Sequence, residues 1–211
     1  MQRLMPAIRH HMMGKFQSMG MIAALMERRL MSADPDLVSI REDCTALGKV
    51  SRTAANSTLD LMTWIEPKSA ATLKVDAGIL ECLGLLSTDL RFKGFTIVNE
   101  VTGIDAELSS TALRSVLSAT LIALSDLSEA PADLIIRAQV MPARVELSID
   151  LRPAEGHAEN ARFPEHRPLN WQDVEILARA ESVRLTRGNG GARLSFTRAD
   201  TRLPDNGERL A

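Results

Sequence analysis

Apolar residues along the first thirty positions recur at Met5, Ile8, Met12, Phe16, Met19, Ala23, Met26 and Leu30, in steps of three and four. This rhythm predicts one buried stripe on a long amphipathic helix of a bundle or coiled coil. The helix is expected from about residue 2 to about residue 31, roughly 45 Å at 1.5 Å per residue. Ser32-Ala33-Asp34-Pro35-Asp36 should stop it, with Asp34 capping the next helix and Pro35 in that helix's first turn. A second stripe follows at Leu37, Ile40, Cys44, Leu47, Val50, Ala54, Thr58, Leu61 and Ile65, and Glu66-Pro67-Lys68-Ser69 ends it. Two long helices joined by a tight turn form an antiparallel hairpin. A lone hairpin buries two stripes poorly, whereas two hairpins form a four-helix bundle, so a homodimer through residues 1–66 is expected. The alternative is that the stripes pack on the chain's own second half.

From residue 70 the pattern changes. Helices are expected over 73–91, carrying Val75, Ile79, Leu80, Leu83, Leu86 and Leu90, and over about 108–126, carrying Leu113, Val116, Leu117, Leu121 and Leu124. Strands are expected at Phe95–Val101, Leu134–Val140 and Arg144–Leu151. In the last, Val145, Leu147, Ile149 and Leu151 alternate with polar residues, as in a half-buried strand. Residues 152–170 are rich in proline, charge and histidine and suggest a loop. A short helix at 171–181 then precedes strands Val183–Arg187 and Ala192–Arg198, with Gly188-Asn189-Gly190-Gly191 as a hairpin signal. The fold class is α+β: a helical hairpin over 1–67, an α/β sandwich with a mixed sheet covered by helices on one face over 68–200, and a flexible tail over 201–211.

The 211 residues, 45% hydrophobic with formal net charge -2, have the make-up of an ordinary globular chain. No basic excess tracks a phosphate backbone, and 3% aromatics with no tyrosine argue against base stacking, so no nucleic-acid partner is expected. Cys44 and Cys82 lack metal-ligand spacing and suit a reducing, cytoplasmic setting. No apolar run is long enough to cross a bilayer, so no membrane association is expected. His157 and His166 lie in the irregular loop without neighbours that suggest a metal site.

The candidate chemistry sits in Ile8-Arg9-His10-His11-Met12-Met13-Gly14-Lys15-Phe16-Gln17. At about 100° per residue, His10 falls nearly opposite the apolar stripe and His11 on its flank. A solvent-facing imidazole on a rigid helix is accessible to a partner.

A helical hairpin with an exposed histidine, followed by an α/β sandwich, resembles the catalytic core of sensor histidine kinases. Their motif runs His, acidic residue, two variable residues, Asn or Thr, and often Pro. Here Arg9-His10-His11-Met12-Met13-Gly14-Lys15 holds that register. The resemblance makes His10 the counterpart of the phospho-accepting histidine, with His11 in place of the activating acid. The kinase helix that chelates magnesium bears Asn-Leu-Leu-x-Asn-Ala, whereas this chain places Ala119 and Ala123 at the asparagine positions. Alanine offers no oxygen ligand for Mg²⁺. The adenine-contacting Asp-x-Gly-x-Gly corresponds to Asp150-Leu151-Arg152-Pro153-Ala154, where Asp150 falls on the polar side of its strand and the glycines are missing. The glycine-rich phosphate segment reads Pro168-Leu169-Asn170-Trp171-Gln172-Asp173. Only the hairpin Gly190-Gly191-Ala192-Arg193-Leu194 keeps its family look.

The pattern is similar to dimeric histidine phosphotransferases built on a degenerate kinase core. That resemblance implies relay of phosphate between response-regulator receiver domains without ATP use. His10 would be the phosphoacceptor, Lys15 a charge partner for phosphoryl oxygens, and Arg9, His11, Met13, Gly14 and Gln17 the partner-binding surface. It implies no bound cofactor and no metal, Mg²⁺ being expected only on the receiver. The alternative is an inactive pseudo-kinase that regulates a receiver or kinase as a dimeric scaffold. A divergent active kinase would need ATP binding despite Ala119 and Ala123.

Overall fold

A computed structural model describes residues 5–65, 71–129, 131–154, 168–188 and 190–200, except the side chains of 5–11, 60, 61 and 63–65. The chain packs as two units divided between Glu66 and Pro67.

The first unit is the expected hairpin, formed by α1 (Met5–Leu30) and α2 (Leu37–Ile65). Its cap differs from the expectation. Asp36, not Asp34, begins α2: its carboxylate accepts from the backbone N–H of Val38 (3.0 Å) and Ser39 (3.2 Å) and from Ser39 Oγ (2.6 Å). These bonds, the Ser39 ones foremost, hold the Asp36 carboxyl below the usual aspartate range.

The seam is also displaced. Half-buried positions on α1 are Met12, Lys15, Met19, Ile22, Met26 and Arg29, while Phe16, Ala23 and Leu30 of the expected stripe are exposed. On α2 the matching line is Ile40, Asp43, Leu47, Val50, Ala54 and Ser57, and Cys44 is exposed. Both lines step by three and four, as two facing helices require. The α1 stripe is wider than one neighbour covers, so the seam takes one edge of it and leaves the other in solvent. At about 100° per residue, Phe16, Ala23 and Leu30 share one flank of the hairpin with Leu37, Cys44, Ala55, Leu59 and Met62. An open groove of about 440 Å³ on this unit is lined by Ala23, Met26, Glu27, Leu30, Met31 and Leu47.

The second unit contains β1 (Thr72–Lys74), α3 (Val75–Phe92), β2 (Phe95–Asn99), β3 (Glu107–Ser109), α4 (Ser110–Leu127), β4 (Ala132–Val140), β5 (Arg144–Pro153), α5 (Trp171–Ala180), β6 (Arg184–Gly188) and β7 (Gly191–Thr197). The main sheet has order β2-β4-β5-β7-β6, with β2 parallel to β4 and the other pairs antiparallel. It is the mixed sheet expected from the sequence. Strands β1 and β3, folded into the expected helices at the sequence level, pair antiparallel with each other. Three-residue strands are too short to imprint a period on the sequence.

Side chains alternate across the main sheet. Leu134, Ile136, Val145, Leu147, Ile149, Ala192, Leu194 and Phe196 are buried, whereas the intervening Asp150 and Arg193 are exposed. The buried face meets Val75, Ile79, Leu86 and Leu90 of α3 and Leu113, Leu117, Leu121 and Leu124 of α4 in one core. Helix α3 packs on α4 and β2, and α4 on α5 and β7. Gly78 permits the close approach of α3 to α4, because a Cβ there would collide with Leu113.

Candidate functional site

Arg9, His10 and His11 lie in the backbone of α1, and their side chains fall outside the described set. The described residues that follow form a small exposed surface. Met13 is half exposed, and Gly14 and Gln17 are open to solvent. Nothing lies within 4 Å of where a Gly14 Cβ would be, so this stretch leaves room for a partner's backbone.

Lys15 has a different setting. It is half-buried on the seam, and its ammonium donates to Ser57 Oγ on α2. Ser57 in turn donates to the Thr53 carbonyl (2.9 Å). A second polar tie crosses the hairpin nearer its turn, where Arg29 Nη1 meets Asp43 Oδ2 at 2.6 Å with Asp43 only 16% exposed. Lys15 and Arg29 are separated by the same number of residues as Asp43 and Ser57, so both ties belong to one antiparallel register. That register sets Leu59 level with Met13 and Ala55 level with Gln17. Leu59 and Met62 are 65% and 57% exposed and extend the apolar surface onto α2.

Ser57, Asp43, Leu59 and Met62 were not singled out from the sequence. The available signal was a basic residue at a seam position of one helix, with a polar one at the matching position of the other.

In the second unit, the positions aligned with nucleotide-binding groups are committed elsewhere. Ala123 is fully buried and Ala119 half-buried on α4. Asp150 stands on the outward face of β5, where its carboxylate meets Arg137 Nη1 at 2.7 Å. Arg137 also binds Glu100, Nε to Oε2 at 2.6 Å. Asn170 forms a capping box at α5, accepting from the Asp173 N–H (2.9 Å) while Asp173 accepts from the Asn170 N–H. Just before it, the Leu169 N–H donates to Asp126 Oδ2 (2.9 Å), and Asp126 Oδ1 binds Lys93 Nζ at 2.8 Å. The Asp126 side chain is wholly buried. The segment that would wrap phosphates in a kinase is therefore fastened at its end by α4.

Cys82 is buried between α3 and α4, and burial pushes its thiol up to about 12. Such a thiol is neutral near pH 7 and lacks nucleophilic character. No group of His, Cys, Asp and Glu among the described residues could hold a metal ion. No described helix is long and apolar enough to cross a membrane. His157 and His166 lie outside the described residues.

No protein-family model and no curated protein matches the sequence. Among solved structures, the chain is similar to histidine kinase AdeS of Acinetobacter baumannii, at 14% identity and a TM-score of 0.46, over 86% of this chain and 96% of that one. It is similar to the blue-light activated histidine kinase EL346 of Erythrobacter litoralis at 12% identity and a TM-score of 0.47, over 79% of this chain and 63% of the other. Histidine kinase ThkA, solved in complex with the response regulator TrrA, is matched at 13% identity and a TM-score of 0.43, over 93% of this chain and 60% of the kinase.

Proposed function

We propose that the protein is a histidine phosphotransferase of a two-component phosphorelay, passing phosphate between response-regulator receiver domains through His10 without using ATP. One observation carries the reading. The exposed surface of α1 beside His10 is open, while Asp150, aligned with the kinase adenine contact, is bonded to Arg137 on the outward face of the sheet.

The chemistry asks little of the protein. The neutral imidazole attacks the phosphorus of a receiver's aspartyl phosphate through Nε2. The phosphorus–oxygen bond to the aspartate breaks, its electron pair stays on the carboxylate, and a phosphohistidine forms. The reverse step loads a second receiver. An unperturbed imidazole is substantially neutral at pH 7, so His10 needs no acidic neighbour to be nucleophilic. Mg²⁺ on the receiver would supply charge stabilisation. This chain's part is to position the ring on a rigid helix.

Met13, Gly14 and Gln17, with Arg9 and His11, form the docking surface on α1. Lys15 serves chiefly by fixing the helix that carries His10, since its ammonium reaches phosphoryl oxygens only by leaving Ser57. The exposed flank bearing Phe16, Leu30 and Leu37 favours a homodimer, because a second hairpin would remove these side chains from water.

The test is phosphoryl transfer from a phosphorylated receiver to the native protein and to His10→Ala. Acid-labile label on the native protein and none on the variant is expected. A regulatory scaffold is the second reading, favoured by the fastened segment at Leu169 and Asn170. Receiver binding with no label from a broad panel of receivers would select it.

A further inference from the structure

The hairpin seam is mostly methionine, isoleucine, leucine, valine and alanine. A seam of this kind has little register preference, because a slip by one heptad still lays apolar residues on apolar residues, and methionine adapts to either setting. Two polar ties interrupt it, Lys15 to Ser57 and Arg29 to Asp43, in one common register.

We infer that these ties hold α1 and α2 in a single register and prevent the helices from sliding past each other. The argument is one of alternatives. In the native register Ile22 faces Val50. A one-heptad slip in one direction sets Lys15 against Val50 and Asp43 against Ile22. A slip the other way sets Arg29 against Val50. Each shifted state leaves a half-buried charge without its partner, which is costly in a seam, whereas the native state satisfies both. The ties sit well apart along the described part of the seam, so both of its halves are held in the same register. A partner that touches both helices then meets one fixed geometry. This holds whether or not His10 carries phosphate.

The experiment measures the distance between spin labels on exposed Ala24 and Lys49 in the full chain, with Cys44→Ser to remove the exposed thiol and with unlabelled protein in excess. The native chain should give one narrow distance. A variant with an apolar seam (Lys15→Met, Ser57→Ala, Arg29→Leu, Asp43→Leu) should stay helical and give a broadened distribution or a second population, displaced along the axis by about 10 Å, one heptad of rise. Arg29→Asp should disturb the native distance, and Arg29→Asp with Asp43→Arg should restore it. An unchanged narrow distance in the apolar variant, or no restoration by the charge swap, overturns the inference.

Discussion

Asp150 on β5 and Arg137 on β4 meet at 2.7 Å on the outward face of the sheet, where Ile135 and Asp150 are the cross-strand partners. The contact gives Asp150, near the place of the kinase adenine contact, a partner on the sheet's outward face, which supports the proposal that ATP is not used. Strand alternation puts Ile149 into the core and Asp150 outside it, so reaching the buried face would require a one-residue slip of β5. The pair is 42% and 53% exposed, so solvent screens it. Asp150→Asn should change stability by less than about 1 kcal/mol in urea unfolding. Titration calorimetry with ATP and Mg²⁺ should give no binding heat for the native chain or the variant. Binding that the native chain shows and Asp150→Asn loses would return Asp150 to a nucleotide site.

Asp126 offers the opposite case, a carboxylate withdrawn from water. It joins Lys93 at the end of α3 to the Leu169 N–H ahead of α5. Asp126→Ala leaves the Leu169 N–H without its acceptor, while the Lys93 ammonium keeps Asp89 Oδ2 (3.5 Å) and Ser125 Oγ (3.3 Å). The expected loss is about 2 kcal/mol, from the unsatisfied N–H and one lost charged contact. Urea unfolding measures it, and faster amide exchange at Leu169 should accompany it. A loss below about 1 kcal/mol would mean the contact is dispensable.

The Cys82 thiol makes a prediction with a defined direction in pH. Burial raises it from an ordinary 9.0 to about 12. An unfolded chain ionises this thiol near 9 while the native chain keeps it protonated. Its contribution to stability is therefore complete below pH 9 and falls away as the pH rises from 9 towards 12. The decline in native stability between pH 8 and 10.5 should be steeper than in Cys82→Ala. A thiol reagent at pH 8 should label Cys82 only on unfolding. Rapid labelling of Cys82 in the native chain, or identical pH slopes, would contradict the buried, protonated thiol.

Much of the second unit was legible because its elements are long enough to show a period. Val145, Leu147 and Ile149 alternate cleanly, and Gly188 to Gly191 closes β6 on β7 as the glycines indicated. Strands β1 and β3 were not legible, since Leu73 and Leu108 fit the helical rhythms that follow them equally well. In the hairpin, both helices were legible but not the choice of seam. Apolar periodicity favours Phe16 and Leu30, whereas Lys15 and Arg29 occupy the seam because each finds a polar partner on α2. Such pairing depends on which residues of two distant segments come level, and no local pattern in either helix contains it. The same holds at the turn, where Asp34 and Asp36 are both good capping residues. Ser39, whose hydroxyl and N–H both bind Asp36, favours the second. The chemistry assigned to His10 rests on resemblance and helical position.

The exposed flank of the hairpin gives the prediction that bears on assembly. Leu37 (71% exposed), Leu59 (65%), Met62 (57%) and Leu30 (55%) share it with small residues at Ala23 and Ala55. Burying one such leucine is worth about 2 kcal/mol, and two-fold symmetry counts each contact twice. Sedimentation equilibrium should therefore give twice the chain mass of 23.1 kDa. Leu59→Glu places a carboxylate on that flank in both copies and should shift the equilibrium to monomer without loss of helicity. Lys49→Glu, on the opposite and polar flank, should leave the dimer intact. A native monomer at micromolar concentration would sink the bundle. A dimer insensitive to Leu59→Glu but broken by Lys49→Glu would move the interface to the other side of the hairpin.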